Sequence, residues 1–80
     1  MRNLFMFKVY DKNNNEINCK VIFTFEKNNK NFVVYYDDEE DILASYYKLE
    51  NDKAIIYPIT DDIDFDLIDE ELKKRMNNNE

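Results

Sequence analysis

Asp62-Ile63-Asp64-Phe65-Asp66 sets three carboxylates at alternate positions, the spacing with which a calcium-binding EF-hand loop begins. The rest of that loop is missing. Glycine is required where Leu67 stands and a bidentate glutamate where Lys73 stands, and no helix leads in. A hydrated helix start accounts for these acids better. The run Asp37-Asp38-Glu39-Glu40-Asp41 could gather a divalent cation weakly and without selectivity, but adjacent like charges ordinarily repel and stay solvated. Cys19 could be a nucleophile only beside a histidine, a lysine or a helix N-terminus that lowered its pKa. It falls instead in the apolar register between Ile17 and Val21, which predicts an inert core thiol.

Tyr35-Tyr36 and Tyr46-Tyr47 put one ring of each pair on either side of a strand, and rings exposed on a sheet can stack nucleic-acid bases. Tyrosine also suits strands without any ligand. A net charge of -7 further opposes contact with a phosphate backbone, unless Arg2, Lys8, Lys20 and Lys30 make a local basic patch. Two carboxylates able to flank a glycosidic bond can always be chosen among 18 acids, but that reaction needs a cleft. A chain of 80 residues has little room for one.

The sequence contains no Gly, His, Trp or Gln. Without glycine there is no glycine-rich phosphate loop or dinucleotide fingerprint. Without histidine there is no His-based acid–base pair, no Ser-His-Asp triad and no HExxH zinc site. A single cysteine makes neither an internal disulfide nor a zinc cluster. No catalytic set, metal site or cofactor is therefore expected, and the protein is expected not to be an enzyme. The 12 aromatics supply enough bulk to argue against disorder. The first apolar run, Leu4 to Phe7, breaks at Lys8 and is too short for a signal peptide or a membrane span. With one unpaired thiol, that suggests a reduced, cytoplasmic setting. The acidic balance disfavours direct nucleic-acid binding and anionic membranes. Charge is also uneven: residues 1–36 carry net +3 and residues 37–80 net -10.

The elements that must carry these residues follow from periodicity. Residues 4–10 read as a first strand, closed by a turn at Asp11 to Asn15 in which Asn14 takes the positive φ usually left to glycine. Residues 16–26 alternate cleanly, with Ile17, Cys19, Val21, Phe23 and Phe25 on one side and only Ile22 out of place on the other. A turn at Lys27 to Lys30, with Asn29 in glycine's role, precedes a third strand, Phe32 to Tyr36, apolar on both faces and so central. The acidic run is a solvated loop. Ile42–Leu49 makes a fourth strand and Lys53–Tyr57 a short fifth, which Pro58 confines to an edge or ends. From Asp61 the period becomes helical, with Phe65, Ile68, Leu72 and Met76 as the stripe and Leu67 beside it. Acids crowd its start and Lys73, Lys74 and Arg75 its end, as the helix dipole favours. One of Thr60, Asp61 or Asp62 is the N-cap.

The expectation is an α+β domain over residues 1–76, an antiparallel meander of four to five strands with one C-terminal amphipathic helix packed on one face, and a frayed polar tail at 77–80. The helix should bury the odd-numbered side of residues 17–25. The opposite face, with Lys20, Thr24 and some tyrosines, should be wet.

Several short stretches in this order resemble the YrzB-like family, small acidic proteins of Gram-positive bacteria whose role is not known. They are Phe7-Lys8-Val9-Tyr10-Asp11, Val21-Ile22-Phe23-Thr24-Phe25, Tyr35, Asp41-Ile42-Leu43-Ala44-Ser45-Tyr46-Tyr47, Pro58-Ile59 and Asp66-Leu67-Ile68-Asp69-Glu70. The likeness spans about residues 5–72. It departs where the family's hairpin glycines are asparagines here and where its helix aromatic, typically Trp, is Phe65. Both changes keep the physical role. The resemblance implies the same fold and brings no catalytic residue or ligand.

The functional expectation is a non-enzymatic cytoplasmic module that binds another protein. Its surface would be Asp37, Asp38, Glu39, Glu40 and Asp41 together with Asp62, Asp66, Asp69 and Glu70. The alternative is an acidic decoy imitating a phosphate track, to occupy the groove of a nucleic-acid-binding protein. That alternative requires the loop acids and the helix acids to lie in rows on one face. A homodimer is open too, through an edge on the first or fifth strand or through apolar residues on the second sheet face.

Overall fold

A computed structural model describes residues 8–77. Its elements are β1 Lys8–Tyr10, β2 Glu16–Ile17, β3 Lys20–Lys27, β4 Lys30–Tyr36, β5 Ile42–Glu50, β6 Lys53–Tyr57 and α1 Asp62–Asn77. The strands form one sheet in the order β2-β1-β6-β5-β4-β3. All neighbours run antiparallel except β1 and β6, which pair in parallel with Val9 opposite Ala54. The class is α+β, but with six strands in a mixed sheet where an antiparallel meander of four to five was expected. The expected first-strand residues 4–7 lie outside the described residues, as do 78–80 of the expected tail. Pro58 does end β6, yet that strand is interior, between β1 and β5, because a ladder needs nothing from the proline that follows it. Since β1 is itself flanked by β2 and β6, neither strand offers the free edge expected of it.

Asparagine builds the hairpins. Asn28 and Asn29 (φ 55° and 64°) lie between the paired Lys27 and Lys30. Asn51 and Asp52 (φ 49° and 71°) lie likewise between Glu50 and Lys53. Two-residue loops with both φ positive match the twist of the flanking strands, and Asn and Asp enter this region more readily than other side chains. Asn14 (φ 69°) and Asn29 thus do what was expected of them. Asp61 is the helix N-cap: its carboxylate accepts from the Ile63 amide at 3.2 Å, and its carbonyl from Phe65 at 3.3 Å.

The sheet curls on itself. β2 and β3 are its two edges, yet only Asn18 and Cys19 join them. In a flat six-stranded sheet those edges would stand about 24 Å apart. Three Cα steps reach at most about 11 Å. Residues 16–27 are therefore one extended run that pairs first with β1 and then with β4, drawing the edges together. The long alternating pattern of residues 16–26 is this run, read as a single strand although it serves two partners.

Curling gives the molecule two cores. On the inner face Val9, Val21, Val33, Tyr35, Ala54 and Ile56 pack together, with Ile17, Cys19 and Tyr47 against them. On the outer face Phe32, Val34 and Ile68 of α1 form the second core, with Phe23, Phe25, Ala44, Tyr46, Ile59, Leu67 and Leu72. The expectation that α1 covers the whole odd-numbered side of 17–25 fails at a β-bulge. Val21 is opposite Tyr35 and Phe23 opposite Val34, so Ile22 is an extra residue that moves every later odd position to the other face. Only Phe23 and Phe25 meet the helix. Nor is the second face wet, since the curl makes it an interior.

Candidate functional site: the acidic turn and its groove

Asp37 follows the last residue of β4, and Asp41 precedes the first of β5. The five acids between these strands make a built turn, not a loosely extended loop. The Asp37 carboxylate accepts the amides of Glu39 and Asp41, both at 2.9 Å. The Glu40 amide donates to the Asp37 carbonyl, and the Asp37 amide to the Asp41 carbonyl, each at 3.1 Å. Repulsion along the run is offset by these amide dipoles, which converge on one carboxylate.

The turn after β1 repeats this plan. Asp11 accepts from the Asn13 and Asn15 amides at 2.9 Å, the Asn14 amide donates to the Asp11 carbonyl at 3.0 Å, and the Asp11 amide donates to the Asn15 carbonyl at 2.9 Å. The Asn15 amide, with its side chain and Asn13 adding to it, holds the Asp11 carboxyl below its ordinary range. In both turns the fourth residue has positive φ: Asn14 at 69° and Glu40 at 63°. Glu40 has no short polar side chain to ease that conformation, so it carries strain that Asn14 avoids.

Asp38, Glu39, Glu40 and Asp41 are exposed, while Asp37 is half-buried under the amides it binds. Among the described residues the ion pairs are Lys30–Asp64, Lys73–Asp69, Lys74–Glu71 and Arg75–Glu71, and none involves the turn. Beside the turn lies an open groove of about 530 Å³, lined by Asn18, Cys19, Lys20, Tyr36, Asp37, Asp38 and Glu40. Tyr36, which lines the groove, pairs with Ile42 across β4 and β5, and both side chains are exposed. Cys19 lies in the link between β2 and β3, not within a strand, and is half-buried against the inner core. Burial first, and then the charge of Asp38, push its thiol up, away from the reactive thiolate. Among the described residues no three His, Cys, Asp or Glu side chains converge as metal ligands.

The expected helix acids lie elsewhere. Asp64 of the first turn reaches Lys30 at the start of β4, and Arg75 of the last turn lies 4.2 Å over the Phe23 ring, opposite Val34. α1 thus advances from the Asn28–Asn29 end of β4 towards its acidic-turn end, bringing its basic residues, not its acids, nearer the turn. Lys30 and Tyr36 stand about 20 Å apart along the strand. Asp62 and Asp66 therefore sit far from Asp37–Asp41. Asp69 is exposed and spanned by Lys73 at 3.2 Å, and Glu70 is exposed beside it.

One acid that did not figure in the expected surface is buried and tied to two strands. Asp64 is 1% exposed, and its Oδ2 accepts from Lys30 Nζ at 2.8 Å and from the Tyr46 hydroxyl at 2.5 Å. The hydrogen bonds from Lys30 and then Tyr46 hold its carboxyl below the ordinary range, and the same contact raises Lys30. The buried stripe of α1 is Asp64, Leu67, Ile68, Glu71 and Leu72, and Phe65, expected within it, is 51% exposed. Asp64 lies four and eight residues before Ile68 and Leu72, so the helical period could have found it. Choosing Phe65 by hydrophobicity hid it.

Among the described residues no helix is long and apolar enough to cross a membrane. No solved structure matches the chain. A family model described as "Protein of unknown function (DUF1292)" matches residues 12–77. Two curated relatives are similar along most of their length. The UPF0473 protein YrzB of Bacillus subtilis (strain 168) is 39% identical, with 80% of each chain covered. A UPF0473 protein of Bacillus pumilus (strain SAFR-032) is 38% identical, covering 80% of this chain and 78% of the relative. Neither description names a reaction or a ligand, so they add a lineage to the groove and turn without a chemistry. The chain belongs to the DUF1292 family, and the YrzB-like resemblance read from its short motifs is that membership.

Proposed function

We propose that the protein is a non-enzymatic cytoplasmic interaction module whose acidic turn and adjoining groove receive a cationic segment of another protein. One comparison carries this reading. The Asp11–Asn15 turn reaches the same hydrogen-bonded form with a single acid, so only Asp37 is needed for the shape of the second turn. The carboxylates of Asp38, Glu39, Glu40 and Asp41 are surplus to folding. They stand exposed between Tyr36 and Ile42, a cross-strand pair of exposed side chains that offers a partner something to bury beneath its charges. A lysine- or arginine-bearing strand or loop fits that pattern, with charge setting the rate of encounter and that pair the residence time.

Little supports the decoy alternative. A phosphate mimic needs an unbroken row of charge, and the loop acids and first-turn helix acids lie at opposite ends of β4. Affinity capture from native lysate tests the proposal, comparing the wild type with the variant Asp38→Asn/Glu39→Gln/Glu40→Gln/Asp41→Asn. Partners held by the wild type should be lost from the variant and from the wild type at raised salt. An identical set of partners on both proteins would overturn it.

A further inference from the structure

α1 covers only part of the outer face of the sheet. Its apolar residues pack with β3, β4 and β5, and neither core contains an outward-facing residue of β1 or β6. Val9, Ala54 and Ile56 belong to the inner core, so the pairing of β1 with β6 and of β6 with β5 sets Lys8, Tyr10, Lys53, Ile55, Tyr57 and Lys48 side by side on the outside. Tyr10 and Tyr57 are half-buried, and Lys8 and Lys48 are exposed. Lys53 Nζ lies 4.7 Å from the centroid of the Tyr10 ring, and Lys48 Nζ lies 5.8 Å from that of Tyr57. Among the described residues none of these three lysines is in an ion pair. Glu16 and Glu50, paired with Tyr10 and Lys53, share the face.

We propose that this face, a surface separate from the acidic groove, binds single-stranded nucleic acid, with Tyr10 and Tyr57 stacking two bases and the lysines taking the adjoining phosphates. Tyr57 stands one strand across and two residues along from Tyr10, about 8 Å away, a step that one nucleotide of an unstacked strand spans. Each ring has a lysine beside it, and a cation–π contact at an exposed site is weak enough to yield the ring to a base and the ammonium to a phosphate. Three lysines against two glutamates are too few to hold a duplex by charge alone. The rings must carry the contact, and only a single strand bares its bases to them. The chain's net charge of -7 opposes nucleic acid as a total, but screening makes the local charge decisive. The acidic turn precedes Ile42, about 20 Å along β5 from Lys48 and more than two screening lengths away at physiological salt. The tyrosine doublets lie elsewhere, Tyr35 and Tyr47 at the inner core, Tyr46 under α1 and Tyr36 at the groove.

Fluorescence anisotropy with the full-length chain and a labelled single-stranded oligothymidylate is the test. At low salt the strand should bind at least about tenfold more tightly than its duplex with oligoadenylate. Tyr10→Leu and Tyr57→Leu should each weaken binding about tenfold, whereas Tyr10→Phe and Tyr57→Phe, which keep the ring, should stay within about twofold of the wild type. Lys8→Gln, Lys48→Gln and Lys53→Gln should each lower the slope of log affinity against log salt by about 0.7. An oligoglutamate peptide of the same charge should compete at least about tenfold less well than unlabelled strand. Absence of binding by the wild type would overturn the proposal, as would equal binding of the duplex or phenylalanine variants as weak as the leucine ones. Equal competition by the peptide would assign the face to an acidic protein instead, against the nucleic-acid reading.

Discussion

Phe32, Val33 and Val34 are consecutive and almost wholly buried, yet they serve different cores. Val33 points into the curled sheet, where everything it touches comes from strands or the short link between them. Phe32 and Val34 point outwards, where α1 lies over them beside Phe25, Tyr46 and Ile59. The inner core is thus a property of the sheet alone. The outer one is an agreement between the sheet and a helix held by the Asp64 carboxylate, by Leu67, Ile68 and Leu72, and by Arg75 over the Phe23 ring. A domain of this size has little margin, so the loss of either core should be felt.

The strongest way to probe this contrast is truncation on either side of one peptide bond. Phe32→Ala should lower the unfolding free energy by about 3–5 kcal/mol, near the whole stability of so small a domain. Val33→Ala should cost about 2 kcal/mol. Urea titrations followed by circular dichroism will rank the two, and a larger loss at Val33 would make the inner core the dominant one.

Acid should act on the outer core next. Asp64 has a lowered folded pKa, so its contribution is fully present above the unfolded value of about 3.9 and is lost as the pH falls through the folded one. Melting temperatures of the wild type should therefore fall steeply below about pH 4, and those of Asp64→Asn should start lower and fall less. Parallel curves would show that the Lys30–Asp64–Tyr46 contact does not stabilise the docked helix.

The two five-residue turns give the smallest effects, with opposite signs. Glu40→Gly relieves a left-handed residue and should stabilise by about 0.5–1 kcal/mol. Asn14→Ala forces a Cβ without a polar group into the same conformation and should cost about 1 kcal/mol. Neutralising Asp38, Glu39 and Asp41 together should change stability by less than about 0.5 kcal/mol. A larger loss would mean that these acids do serve the fold, and would remove the basis for assigning them to a partner.

Much of the architecture was legible in the residues. Asparagine pairs marked the hairpins because few other residues accept positive φ, and the change of period after Asp61 marked the helix. What escaped was set by pairing between distant segments. Ile22, the one misfit in an alternating run, is the bulge itself, but a misfit alone does not say that the register shifts. The parallel match of β1 with β6 leaves no local trace, since each strand satisfies its own alternation. In the functional region the acids of the turn were plain, while Asp64 was concealed because its partners, Lys30 and Tyr46, come from other strands. A buried charge is recognisable only with its counter-ion in view.

The joining of β1 to β6 bears on the order in which the chain folds. β3 to β6 are linked by tight turns and need only local closures, so they can assemble early. Val9 must find Ala54 across most of the chain, and the two-residue step from β2 to β3 cannot settle until it does. Long closures are slow because their entropy is lost before any contact repays it. Seating β1 should then be the last event. Its signature is a φ-value near zero at Val9 against a substantial one at Val33, and the reverse would place nucleation at the parallel pair.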